Sequence, residues 1–150
     1  MSQINQINKE NVLVIGLGRS GEEVALLLKE KKARVTVNDI SISEFLLHKK
    51  KKLEKEGIKV ILGSHDLKLL RGITLVVVSP GVPSDNPLLS QAKSLGIPVI
   101  GELELAFRFF PRENLIAITG TNGKSTTTLL TYRILKKSGI NVKVLSLIHI

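Results

Sequence analysis

Apolar residues recur along the chain in short dense runs, each followed by a glycine or proline turn and then by a stretch with helical spacing. Asn11-Val-Leu-Val-Ile15, Ala33-Arg-Val-Thr-Val-Asn38, Ile58-Lys-Val-Ile-Leu62, Ile73-Thr-Leu-Val-Val-Val78, Ile97-Pro-Val-Ile100, Ile116-Ala-Ile-Thr119 and Ile140-Asn-Val-Lys-Val-Leu145 read as strands. Between them, Val24, Ala25, Leu27 and Leu28 fall on one helical face, Ser43 to Glu56 reads as a helix stopped by Gly57, and Pro87 to Leu95 reads as one closed by Gly96. A short helix starts after Gly101, and another runs from Thr126 to Lys137 with a stripe at Leu129, Leu130, Ile134 and Leu135. Strands alternating with helices predict an α/β fold built on a parallel sheet. The run from Ile73 to Val78 is the most continuously apolar and is expected at the sheet centre, whereas Pro98 favours an edge for Ile97 to Ile100.

Composition narrows the class without changing the picture. A chain of 150 residues with 43% hydrophobic content can bury a core, and with no cysteines nothing depends on disulfides. The polar start Met1-Ser-Gln-Ile-Asn-Gln-Ile-Asn-Lys9 lacks the order of a signal peptide, and no apolar run reaches the roughly 18 residues that span a bilayer, so a cytoplasmic protein without membrane association is expected. The formal charge of +9 could suggest nucleic acid, but the lysines are concentrated around His48 to Glu56, where charges of both signs follow one another as on a solvated helix face. Aromatic residues are only 3% and form no stacking platform, so nucleic acid is not an expected partner. A basic surface suits phosphate-bearing substrates. His65 stands without a second metal ligand at a recognisable spacing, and a surface or packing role is expected rather than catalysis.

Two glycine loops carry the candidate chemistry. Gly16-Leu-Gly-Arg-Ser-Gly21 lies between a strand and a helix and fits G-x-G-x-x-G, whose glycines permit a tight turn, close approach of a ligand and close helix packing. Asp39 ends the next strand about 20 residues on, where this fold places an acid that accepts hydrogen bonds from a nucleotide; the alternative is that it caps the following helix together with Ser41 and Ser43. Ser79-Pro-Gly-Val-Pro83 follows the fourth strand and should face the same crevice, or else be a rigid proline turn. About a hundred residues after the first loop comes Thr119-Gly-Thr-Asn-Gly-Lys-Ser-Thr126, a phosphate-binding loop. Gly120 and Gly123 let the backbone turn, the amides of Thr121 to Ser125 can face phosphate oxygens, Lys124 supplies the charge, and Ser125 follows where such loops place a magnesium ligand. The usual G-x-x-x-x-G-K-[ST] would put a glycine at Ile118, and here it is displaced to Gly120.

These motifs together resemble the Mur ligases. The second loop is that family's ATP signature, shared with the folylpolyglutamate synthetases. Gly16 to Gly21, Asn38-Asp39, Ser79 to Pro83 and Gly101-Glu-Leu-Glu-Leu105 look most like the UDP-N-acetylmuramoyl-L-alanine:D-glutamate ligase branch. The resemblance implies a Rossmann-like, parallel-sheet domain at 1–102, followed at 103–150 by the start of a P-loop ATPase-type central domain. It implies that Leu17, Gly18, Arg19, Asp39 and Ile40 line the uracil end, that Ser79, Pro80 and Gly81 approach the pyrophosphate, and that Gly120, Thr121, Asn122, Gly123, Lys124, Ser125 and Thr126 bind ATP. Lys124 and Ser125 would be the catalytic residues here, with Ser125 holding Mg2+. The implied reaction, in a monomer, activates the carboxylate of UDP-N-acetylmuramoyl-L-alanine as an acyl phosphate that the amine of D-glutamate attacks. Another branch such as MurC, or an NAD-binding oxidoreductase or regulatory module, is the alternative. After Val144 the family's Gly-Asn-Ile-Gly segment is replaced by Leu145-Ser-Leu-Ile-His-Ile150, and the later magnesium-binding acid and histidine, the carbamylated lysine and the C-terminal domain are missing. The chain is therefore expected to be an N-terminal fragment, inactive in ligation by itself.

Overall fold

Strand β1 (Asn11–Ile15) is the middle of a parallel five-stranded sheet in a computed structural model that describes residues 4–109 and 115–144, with side chains from residue 7. Its neighbours are β2 (Arg34–Asp39) on one side and β4 (Leu75–Val78) on the other. β3 (Lys59–Leu62) and β5 (Val99–Gly101) form the edges, giving the order β3-β2-β1-β4-β5. β5 lies at an edge, as Pro98 favoured, although the strand begins only after that proline. The expectation that the fourth strand is central is corrected: β4 is interior, but β1, flanked on both sides by long ladders, holds the middle.

Alternation along the strands sorts the core into two layers. Val12, Val14, Val35, Val37, Leu75 and Val77 point to one face, covered by α1 (Arg19–Glu30), α2 (Glu44–Lys55) and α4 (Glu102–Phe109). Leu13, Ile15 and Val76 point to the other, where α3 (Pro87–Ser94) and a 3-10 turn at Leu67–Leu70 supply Leu88, Leu89, Ala92 and Leu70. Each fully buried Val, Leu or Ile contributes roughly 1.5–3 kcal/mol relative to exposure, so it is the doubly covered β1 that anchors the fold.

On α2 the core-facing positions are Leu46, Lys49 and Leu53, at helical spacing. The lysine run is therefore not wholly a solvated face: Lys49 is only 6% exposed.

His65 packs, as its isolation suggested. Asn38, fully buried, donates through Nδ2 to the carbonyls of Ile61 (3.0 Å) and Ser64 (2.7 Å), which fixes its Oδ1 toward His65 Nδ1 at 2.6 Å. Asn86 caps α3 by accepting the Leu88 amide on Oδ1, which turns its Nδ2 toward His65 Nε2 at 3.0 Å. These two orientations leave one assignment, with the proton on Nδ1 and Nε2 accepting. His65→Leu strands two buried amide groups and is expected to lower stability by about 2 kcal/mol. A urea midpoint equal to that of the parent, at unchanged slope, would contradict this.

The chain divides into two compact units, Met1–Pro111 and Arg112–Ile150. α4, which the sequence boundary at 102 assigns to the second domain, packs in the first unit against α1, β4 and β5. In the second unit α5 (Lys124–Lys137) begins two residues earlier than its periodicity suggested and ends at Gly139 with a left-handed φ of 79°. The strands expected at 116–119 and 140–145 are not formed by the described residues 115–120 and 140–144; Leu145 lies outside the described residues. A strand exists only by its ladder, and neither run has a pairing partner among the described residues. The apolar stripe of α5 remains open, with Leu130 and Ile134 exposed.

Candidate functional site

In the first unit the loops after β1, β2 and β4 meet at the carboxyl ends of adjacent strands. The chain order reverses at β1, and such a switch point is where open parallel sheets hold ligands. Gly16 takes a φ of 101° and donates its amide to the Asn38 carbonyl at 2.8 Å. A β-carbon on it would stand 2.8 Å from Cβ of Ser79, so both the left-handed turn and the neighbouring loop require glycine. A β-carbon on Gly21 would lie 2.1 Å from the Gly16 carbonyl oxygen, which makes this the glycine that seats α1 on the loop. Gly18, the N-cap of α1, is different: it is exposed, its φ is an ordinary −67°, and a β-carbon there meets only open space.

Asp39 connects two of the loops. Its Oδ2 accepts the Leu17 amide at 2.8 Å and its Oδ1 accepts the Ser41 amide at 2.9 Å. The capping alternative does not hold, because the N-cap of α2 is Ser43, whose hydroxyl accepts the Leu46 amide. The Leu17 side chain is buried in the core, so only its backbone can meet a ligand. Arg19 and Ile40 are exposed beside it.

Ser79 to Val82 form a turn closed by the Val82 amide on the Ser79 carbonyl at 3.0 Å. Pro80 and Gly81 are exposed, whereas Ser79 is buried and donates its hydroxyl to Glu102 Oε1 at 2.5 Å. Ser79 is thus the clamp of this loop, tying it to the start of α4. Sequence reasoning missed Glu102 in this role, although its place in Gly101-Glu-Leu-Glu-Leu105 was noticed.

In the first turn of α1, Glu22 is paired at 2.8 Å with Lys52 and at 3.0 Å with Lys49. The Lys52 hydrogen bond, reinforced by Lys49 and opposed by burial, holds the Glu22 carboxyl below the ordinary value of 4.5. Since the folded pKa is the lower one, this stabilisation is complete above about pH 4.5 and is lost as pH falls through the folded value. Comparing urea unfolding of the parent and Glu22→Gln from about pH 2 to pH 7 should show a stability difference near neutrality that shrinks with acid. A difference constant across that range would contradict the pairing.

In the second unit Gly123 is the N-cap of α5 with a left-handed φ of 74°, and Gly120 has a φ of 152°. Lys124 folds back so that its Nζ donates to the carbonyls of Gly120 at 2.5 Å and Thr121 at 3.3 Å. Thr121, Asn122, Ser125 and Thr126 are exposed around it. The donor set suits a polyphosphate: a helix N-terminus, a lysine over the loop and no carboxylate within the motif. Ser125 offers one hydroxyl, which fits magnesium only as an ion that keeps most of its ligands from phosphates and water. Among the described residues no cluster of three or more His, Cys, Asp or Glu could hold a metal, and no helix is long and apolar enough to cross a membrane.

Solved structures share this architecture. A pseudomurein peptide ligase type C from Methanothermus fervidus matches with a TM-score of 0.57 and 32% identity over 89% of this chain and 29% of that one. The UDP-N-acetylmuramate-alanine ligase MurC of Thermotoga maritima matches with a TM-score of 0.60 and 26% identity over 87% of this chain and 30% of that one. The fold is that of the Mur ligases. More narrowly, residues 10–101 match the family described as Mur ligase MurD-like, N-terminal domain, and the chain belongs to that family. Proteins called UDP-N-acetylmuramoylalanine–D-glutamate ligase are similar to it, at 47% identity over 93% of this chain in Acidobacterium capsulatum and 44% over 96% in Halalkalibacterium halodurans. The chain spans about 30% of the length of these relatives.

Proposed function

We propose that this chain supplies the uridine-nucleotide site and the phosphate loop of an ATP-dependent ligase that joins D-glutamate to UDP-N-acetylmuramoyl-L-alanine. The observation that carries the reading is the presence of two separate glycine turns, each opening a helix, in one MurD-like chain. The names of the similar proteins supply the substrate. In the first unit the Asp39 carboxylate, oriented by two amides yet retaining lone pairs, accepts the ring N–H of uracil, with exposed Ile40 against the base. The turn of Leu17, Gly18 and Arg19, which the resemblance puts at the uracil end, we instead assign to the diphosphate, because Leu17 is buried and the turn can offer its backbone amides at the start of α1; the Pro80-Gly81 turn held by Ser79 faces the same group. In the second unit Gly120 to Thr126 cradle ATP, Lys124 moves from the loop carbonyls to the β and γ phosphates, and Ser125 contributes to Mg2+. Bound ATP would supply the γ-phosphoryl group that activates the substrate carboxylate for attack by the D-glutamate amine. The residues' part is to position and to neutralise charge, which is most of what phosphoryl transfer requires. We place the enzyme in the cytoplasm, acting as a monomer.

Thermal unfolding with UDP, NAD or Mg-ATP tests the reading. UDP and Mg-ATP, each at about 100 times its dissociation constant, are expected to stabilise by roughly 2.7 kcal/mol. Stabilisation by NAD and not by UDP would overturn the assignment of the first unit.

A further inference from the structure

Lys49 occupies a core-facing slot on α2 where the flanking positions of the same face are Leu46 and Leu53. Its side chain is 7% exposed, and a lysine is seldom so buried without a specific partner. Three partners surround its ammonium: the Gly18 carbonyl at 2.6 Å, Glu22 Oε2 at 3.0 Å and the Phe45 ring at 4.8 Å from its centroid. The first of these is unusual in placement. Gly18 is the N-cap of α1, and its carbonyl would normally be served by the amide four residues on. Here that amide, of Glu22, is 3.4 Å away, and the lysine makes the short contact.

We infer that Lys49 is a positioning residue for the nucleotide loop: it grips the Gly18 carbonyl from behind and so sets the peptide plane that joins Gly18 to Arg19. A trans peptide is planar, with its C=O and N–H pointing opposite ways. Fixing the Gly18 oxygen toward α2 therefore aims the Arg19 N–H the other way, out of the N-terminus of α1 toward the crevice at the end of β1. Glu22 balances the buried ammonium and is itself shared with Lys52, whose side chain is 55% exposed and which is not bonded to Gly18. Lys49 and Lys52 thus carry the same charge and share one carboxylate, but only Lys49 holds the loop carbonyl. The inference rests on the uridine-diphosphate reading of the first unit.

The test is isothermal titration of the chain with UDP, well below its unfolding temperature. Lys49→Met is expected to weaken UDP binding about tenfold while leaving Mg-ATP binding unchanged, because Glu22 keeps Lys52 and no charge is orphaned. Lys49→Arg, which still donates, is expected to recover most of the affinity. Lys52→Met removes the same charge from the same carboxylate and is expected to bind UDP as the parent does. Should Lys49→Met fail to fold, Lys49→Gln, whose amide is too short to reach Gly18, replaces it in the comparison. Parental UDP affinity in a folded Lys49→Met or Lys49→Gln variant, or equal losses in the Lys49 and Lys52 variants, would overturn the inference while leaving the uridine reading intact. A parent chain that does not bind UDP would overturn both.

Discussion

Gly18→Ala is expected to fold like the parent and to bind UDP about tenfold more weakly, a loss of 1.4 kcal/mol, whereas Gly21→Ala is expected to lose about 3 kcal/mol of stability. The two glycines belong to one motif, yet the structure gives them unrelated work. A methyl group at Gly21 would be driven to 2.1 Å from the Gly16 carbonyl oxygen, and backbone has no rotamer with which to evade it. α1 would have to lift from the loop, disturbing Ala25 and Leu28 in the core beneath. At Gly18 the same methyl meets nothing and the φ of −67° is open to any residue, so the cost to folding is at most the roughly 1 kcal/mol that separates glycine from alanine at an N-cap. What it does obstruct is the open side of the turn, where a diphosphate must come against the backbone. Urea unfolding and UDP titration of the two variants check this together. Equal stability losses, or undiminished UDP affinity in Gly18→Ala, would show that the motif serves packing alone.

Lys124→Ala is expected to abolish stabilisation by Mg-ATP and to leave stabilisation by UDP unchanged. Its Nζ rests on the Gly120 and Thr121 carbonyls at an exposed position, so its removal forfeits little folding energy, on the order of 1 kcal/mol or less. The triphosphate loses its point charge over the β and γ phosphates, which the loop amides alone do not replace. The roughly 2.7 kcal/mol stabilisation expected at about 100 times the parent's dissociation constant should disappear. Parallel thermal unfolding with each nucleotide measures it, and an equal loss of both responses would contradict two independent sites.

Much of the first unit was legible in the order of residues, because a two-residue period in strands and a helical period between them directly encode which faces are covered. Val12 and Val14 against Leu13 and Ile15 is such a case, and so is Pro98 on an edge. The place of the glycine turn between β1 and α1, and of Asp39 at the end of β2, was legible for the same reason: their spacing is set by one strand and one helix. Contacts made across the fold were not. Nothing near Asn38 or Asn86 in the sequence announces that His65 will bridge them, and Ser79 reads as a loop residue until Glu102 is seen to hold it. Lys49 gave a faint signal, standing three residues after Leu46 and four before Leu53, but a run of four lysines speaks for solvent, and only the packed structure shows which one is drawn inward. The expected strands at 116–119 and 140–145 mark the converse limit: β propensity states a preference that pairing must complete.

The most direct measurement is a crystal structure of the chain grown with UDP-N-acetylmuramoyl-L-alanine and Mg-ATP. Uracil is expected against Asp39 and Ile40, the diphosphate at the start of α1 and beside Gly81, and the triphosphate inside the Gly120 to Thr126 turn with Lys124 swung onto it. Uridine density away from the ends of β1, β2 and β4, or a triphosphate bound without Lys124, would contradict this.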